Sequence, residues 1–119
     1  MSYKNFEELP IWQEAFEIVK LVYQITQQNQ IKNDFRLVDQ LRGAAISIMN
    51  NIAEGFDSNS NKEFVRFLFF SSRSCSEIIS MSYILKEIYN LKDVSEVLYS
   101  KTLSCRKQIK GFIKYLNSK

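Results

Sequence analysis

Lys107, Lys110 and Lys114 stand three and four positions apart near the end of the chain, with Arg106 beside them and Lys101 upstream. On a helix that spacing puts the three lysines on one face. Such a row attracts phosphate oxygens, largely without regard to base sequence. It can equally be a solvated face whose cations favour the C-terminal end of a helix dipole. Net charge is a modest +3, but its distribution is uneven. Of 16 Lys and Arg residues, Lys101, Arg106, Lys107, Lys110, Lys114 and Lys119 fall after Leu98, where none of the 13 acids lies. Only Tyr99 and Tyr115 interleave with them, so a base-stacking platform is not expected.

A second group consists of polar residues on otherwise apolar seams. Asn51 and Ser74 occupy seam positions, Glu54 and Glu77 follow each by three residues, and Arg42 precedes Asn51. Together they would form either a binding cluster or an interior hydrogen-bond network that fixes helix register. The second reading is the simpler one, since nothing among them is nucleophilic. Ser71, Ser72, Ser74, Ser76, Ser80 and Ser82 read as small residues at close helix contacts. Cys75 and Cys105 read as buried core thiols.

What is missing bounds the chemistry further. The chain has no histidine, which removes the commonest general base, the Ser-His and Cys-His pairs, and the commonest metal ligand. Acid-base catalysis would have to come from Glu54, Glu77 or lysines, so an enzyme is not expected, nor a metal or cofactor. Two cysteines thirty positions apart give no zinc spacing. No apolar segment resembles a leader or a membrane span. A cytoplasmic protein with reduced thiols is the expectation.

The elements that must position these residues are helices. One proline and three glycines in 119 residues are too few for an all-β fold and suit a few long helices. Apolar periodicity predicts four, over about 10–28, 34–54, 61–89 and 93–116, in one domain. The first carries Trp12, Ala15, Phe16, Val19, Val22 and Tyr23, and the second Leu37, Leu41, Ala44 and Ile48, ending at Gly55 as a left-handed stop. The third carries Phe64, Phe67, Ser71, Ser74, Ile78, Met81 and Leu85, opened by a capping box of Ser60 and Glu63. The fourth carries Val94, Leu98, Thr102, Cys105, Ile109, Phe112 and Leu116, opened by a cap-like pair of Asp93 and Glu96. Alternating steps of three and four with short loops predict an all-α, antiparallel up-down-up-down four-helix bundle.

Helix three is more apolar than one seam requires. Phe64-Val65-Arg66-Phe67-Leu68-Phe69-Phe70, then Ile78-Ile79 and Tyr83-Ile84-Leu85, form a second apolar face. Four helices give each member one inward stripe, so the second face calls for another partner. Phe64, Phe69, Phe70 and Tyr83 are the expected homo-oligomer interface. The alternative is that Tyr3 and Phe6 fold over those aromatics.

Three stretches carry a family resemblance. Leu9-Pro10-Ile11-Trp12-Gln13-Glu14-Ala15 is the first, and Gln40-Leu41-Arg42-Gly43-Ala44-Ala45-Ile46-Ser47-Ile48 running into Asn51-Ile52-Ala53-Glu54-Gly55 is the second. The third is Lys62-Glu63-Phe64 with Phe67-Leu68, Ser74 and Glu77. They resemble the four-helix bundle proteins encoded in intervening sequences of bacterial 23S ribosomal RNA, over nearly the whole chain. Met49 stands where that family usually has proline, and Arg73 where it usually has glycine. The resemblance implies a cytoplasmic bundle assembled as a ring, typically a pentamer, without a settled activity. The chain is also similar to the accessory protein of diversity-generating retroelements, which implies binding of RNA or DNA through basic surface residues. The functional expectation is an oligomeric protein that binds structured RNA, or else a protein-interaction scaffold built on the aromatic face of helix three.

Overall fold

In the computed structural model, which describes residues 2–119, a short 3-10 turn at Phe6–Glu8 precedes four helices. They are α1 (Pro10–Thr26), α2 (Phe35–Phe56), α3 (Asn61–Glu87) and α4 (Lys92–Asn117). No strand occurs among the described residues. The body is a rod of 46 × 20 × 19 Å, about the length of its longest helix at 1.5 Å per residue.

Side-chain contacts give the directions. From Phe64 to Tyr83 along α3, ring partners on α4 run backwards from Phe112 to Tyr99. Along α2, Phe56 and Ile48 meet Phe64 and Ser71 on α3 in the same reversed order, and Asp34 just before α2 meets Tyr89 just after α3. Both pairs are therefore antiparallel, as short connections require.

Each end of a helix has a physical cause. Pro10 opens α1 where its missing N–H costs nothing. The Asp34 carboxylate accepts from the Leu37 N–H at 3.2 Å and caps α2. Ser60 Oγ accepts from the Glu63 N–H at 3.1 Å and caps α3, but the Glu63 carboxylate turns to Arg66 at 3.0 Å instead of completing a box. Asn90, at φ 57°, supplies the left-handed residue after α3, and the Leu91 N–H closes back on the Leu85 carbonyl at 2.9 Å.

Two expected boundaries differ. Gly55 is not a left-handed stop: α2 continues through it to Phe56, and no glycine has positive φ. Its missing side chain serves packing, since a Cβ there would sit 2.7 Å from Phe64 Cδ1 and 2.9 Å from Phe67 Cβ. Asp93 and Glu96 do not cap α4 either. The helix has already begun at Lys92, so Asp93 lies inside the first turn and acts through the helix dipole.

The core is one cluster fed by all four helices. On α1 the buried seam is Ile11, Ala15, Ile18, Val19, Val22 and Ile25. Ala15, Val19 and Val22 belong to the expected stripe, whereas Ile11, Ile18 and Ile25 take the interior places expected of Trp12, Phe16 and Tyr23. Trp12 and Tyr23 flank it and Phe16 is 39% exposed, because the rings of Phe6, Trp12 and Phe16 stack along the outside at 5.3 and 5.5 Å. On α3 the seam is Phe64, Leu68, Ser71, Cys75, Ile78, Ser82 and Leu85, while Phe67 and Met81 stay half-buried. Two buried hydroxyls of this seam are satisfied: Ser71 donates to the Ile48 carbonyl at 2.9 Å and Ser82 to the Ile79 carbonyl at 2.6 Å. On α4 the seam is Ser95, Leu98, Thr102, Cys105, Ile109, Ile113 and Leu116.

Candidate nucleic-acid interface

The last part of α4 turns one way to the core and the other to solvent. Ile109, Ile113 and Leu116 are buried, and the intervening Lys107, Lys110 and Lys114 are exposed. No carboxylate lies within ion-pair distance of these three among the described residues. Their charges are therefore free to attract an external anion.

The other two cations of the expected stripe diverge from it. Arg106 is half-buried and donates Nη1–H to Ser76 Oγ on α3 at 3.0 Å. Lys101 faces α1, where its charge, after the hydrogen bond and charge of Lys20, helps hold the Glu17 carboxyl below its ordinary range. Five residues separate Lys101 from Arg106, which turns them to different flanks of the helix. The stripe is thus three lysines wide, with one arginine on its α3 edge.

The α3 side adds what α4 alone lacks. Phe69 is 52% exposed. Phe70 is half-buried, with the Arg66 and Arg73 guanidinium groups 5.4 and 6.0 Å from its ring centroid. From Phe64 to Ser76 on α3, and from Val97 on α4 to Lys119 just beyond it, there is no acid at all. An aromatic side chain therefore borders the basic face. Reading α4 by itself could not show this, because the ring comes from a neighbouring helix.

The expected aromatic interface divides. Phe64 does not belong to it: at 3% exposure it is a core residue, packed on Gly55, Phe56 and Phe112. Tyr83 is 52% exposed and meets the Tyr99 ring edge-on at 6.2 Å. Ile88 and Val97, which periodicity did not single out, are 68% and 53% exposed. Phe6 lies against Trp12, and the N-terminal turn packs on α1 and α2, so it does not fold over the aromatics of α3.

The polar residues also separate. Asn51 Nδ2 donates to the Ser47 carbonyl at 2.8 Å and to Ser47 Oγ at 3.0 Å. Ser74 Oγ donates to the same Ser47 Oγ at 2.9 Å, tying α3 to α2. Ser47 is the member that sequence reading missed, one turn before Asn51 on the same face. Arg42 is not in this network. Nine residues from Asn51 place it on the opposite side of α2, where its Nε–H donates to Thr26 Oγ1 at 2.9 Å and its guanidinium lies 4.3 Å from the Tyr23 ring centroid. Glu54 is exposed and outside it. Glu77 is exposed at the rim of a shallow groove lined also by Asp39, Gln40, Gly43, Ser47 and Ser74.

Neither cysteine presents an activated nucleophile. Cys75 and Cys105 are fully buried free thiols, and the hydrogen bond with Cys75, then burial, push Cys105 far above the ordinary thiol range. Among the described residues no group of His, Cys, Asp and Glu side chains is placed to hold a metal ion. No helix there is long and apolar enough to cross a membrane.

No curated protein and no solved structure matches the chain. The sequence model of one family, described as 23S rRNA-intervening sequence protein, matches residues 7–111. That span takes in the Asn51-to-Gly55 stretch, the Gly55–Phe64 contact between α2 and α3, and most of the basic face of α4, and the chain belongs to the 23S rRNA-intervening sequence protein family.

Proposed function

We propose that this chain is a non-enzymatic, cytoplasmic subunit that binds structured RNA by its phosphate backbone. Lys107, Lys110 and Lys114 are the primary contacts, and Arg106 stands at their edge. The observation that carries the reading is electrostatic: these lysines are exposed, without carboxylate partners, on a stretch of two helices that holds no acid. Such a face gains affinity by releasing counterions from the nucleic acid. Assembly of several copies would multiply the row.

The test is titration of a fluorescent hairpin RNA at several salt concentrations. The expected result is a linear fall of log affinity with log salt, and loss of binding when all three lysines become glutamate. No retention of RNA by the native chain at low salt ends the proposal.

A second reading, self-association as a scaffold, is favoured by Tyr83, Ile88 and Val97. Each is more than half exposed on the part of α3 and α4 away from the lysines. Loss of a higher-order species on introducing a charge there is the corresponding test.

A further inference from the structure

Phe69 lies where an unpaired base would need it. Its level along the rod is set by contacts on either side. Phe64 meets Phe112 at 5.4 Å between ring centroids, and Ser76 accepts from Arg106 at 3.0 Å. Phe69 and Arg73 lie between Phe64 and Ser76 on α3, and Lys107 and Lys110 lie between Arg106 and Phe112 on α4. The two sets therefore share one stretch of the antiparallel pair.

Within that stretch the ring of Phe69 is 52% exposed, against 3% for Phe64 one and a half turns earlier. Arg73 and Lys110 are exposed, and Arg73 has no carboxylate partner among the described residues. Of the two acids that bracket this stretch in sequence, Glu63 is paired with Arg66 at 3.0 Å, and Glu77, exposed one turn after Arg73, lines a shallow groove with it without forming an ion pair. A ring open to solvent and bordered by free cations complements one class of ligand: a flat, electron-rich base joined to a phosphate chain. A duplex hides its base faces in the stack and offers phosphates alone. A partner protein would have to present acids around an apolar knob, and the remainder of the lysine row would then be left uncovered.

We infer that Phe69 stacks an unpaired nucleotide of the RNA while Arg73, Lys107 and Lys110 hold the flanking phosphates. This deepens the phosphate-binding reading and rests on it. It also assigns the ligand's form: a loop, bulge or single-stranded end instead of an uninterrupted duplex.

The experiment measures anisotropy of two labelled RNAs against the full-length native protein. One is a hairpin with an unpaired loop, the other a blunt duplex of equal phosphate number. Phe69→Ala is expected to weaken hairpin binding about tenfold, the loss of one base–aromatic stack, with duplex binding and the salt slope unchanged. Phe69→Trp keeps hairpin affinity. Equal hairpin affinity of native protein and F69A overturns the stacking inference. Loss of binding in the lysine-to-glutamate triple variant would show that the phosphate reading survives it. No RNA binding by the native chain overturns both. Sedimentation of F69A accompanies the titration, and a drop in assembly mass assigns Phe69 to contact between copies and overturns the inference.

Discussion

Ser74 on α3 donates to the hydroxyl oxygen of Ser47 on α2 at 2.9 Å, and that oxygen also accepts from Asn51. One oxygen thus joins two helices and serves two donors. Ser47→Ala removes the acceptor and strands the largely buried Ser74 hydroxyl, which is expected to cost about 1–2 kcal/mol. The double variant S47A/S74A is expected to cost less than the sum of the singles, because nothing is then left unpaired. Urea midpoints of the four proteins measure this, and strict additivity would show that the hydroxyls do not act together.

The glycines offer a test with an internal control. A Cβ at Gly43 meets nothing within 4 Å, so Gly43→Ala should stabilise α2 by up to about 1 kcal/mol through helix propensity alone. Gly55→Ala gains the same propensity but drives a methyl into Phe64 and Phe67, and overpacking of this kind costs about 1–3 kcal/mol. Opposite shifts in melting temperature are expected. Equal shifts would mean that α2 and α3 can part at Gly55 without penalty.

Thr102 is fully buried and its Oγ1 has no hydrogen-bond partner. An unpaired buried hydroxyl costs about 1–3 kcal/mol, so Thr102→Val, close in shape, should raise the melting temperature by a few degrees. A lower melting temperature would reveal a partner for that hydroxyl.

Tyr89 donates to the Asp34 carboxylate at 2.6 Å. That bond, then the one from the Leu37 N–H, lowers the Asp34 pKa below 3.8, and the same contact raises Tyr89 above 10.0. The carboxylate's contribution is full above its unfolded value and vanishes as pH falls through its lower folded value. The phenol's is full below 10.0 and vanishes as pH rises through its higher folded value. Stability curves of native protein and Tyr89→Phe should differ at neutral pH and converge at both extremes. Curves parallel throughout would disprove the linkage.

Aromatic residues of α3 should sort by burial. Phe64→Ala is expected to cost about 3–5 kcal/mol by chemical denaturation, as for a fully packed core ring. Tyr83→Glu should leave helix content intact and, if copies meet there, reduce the mass seen by light scattering. An unfolded Tyr83→Glu protein would place that ring inside the single-chain fold.

Helix count, boundaries to within a few residues and the fold class were legible because three-four periodicity and sparse turn residues are local properties. Ser60 and Pro10 announced their helix starts for the same reason. Which side of a stripe is buried was less legible. On α1 the aromatics beside the seam outweigh Ile11, Ile18 and Ile25 in any reading of periodicity, yet the isoleucines fill the interior. Gly55 looks like a stop until Phe64 is known to press against it. The candidate site divides along the same line. The lysine row is a one-helix pattern and could be read. The Ser47–Ser74 link, the separation of Arg42 from Asn51 and the position of Phe69 beside the lysines depend on how helices lie against each other.

The two thiols give this bundle a way to report on itself. Cys75 and Cys105 are closed off from solvent and free. A thiol reagent can reach them only when α3 and α4 part. Where closing outruns labelling, the rate of modification follows the equilibrium population of opened molecules. Mass spectrometry of labelled protein therefore reads the opening free energy without denaturant. Repeating it in the presence of RNA would show whether the nucleic acid changes how often the rod opens.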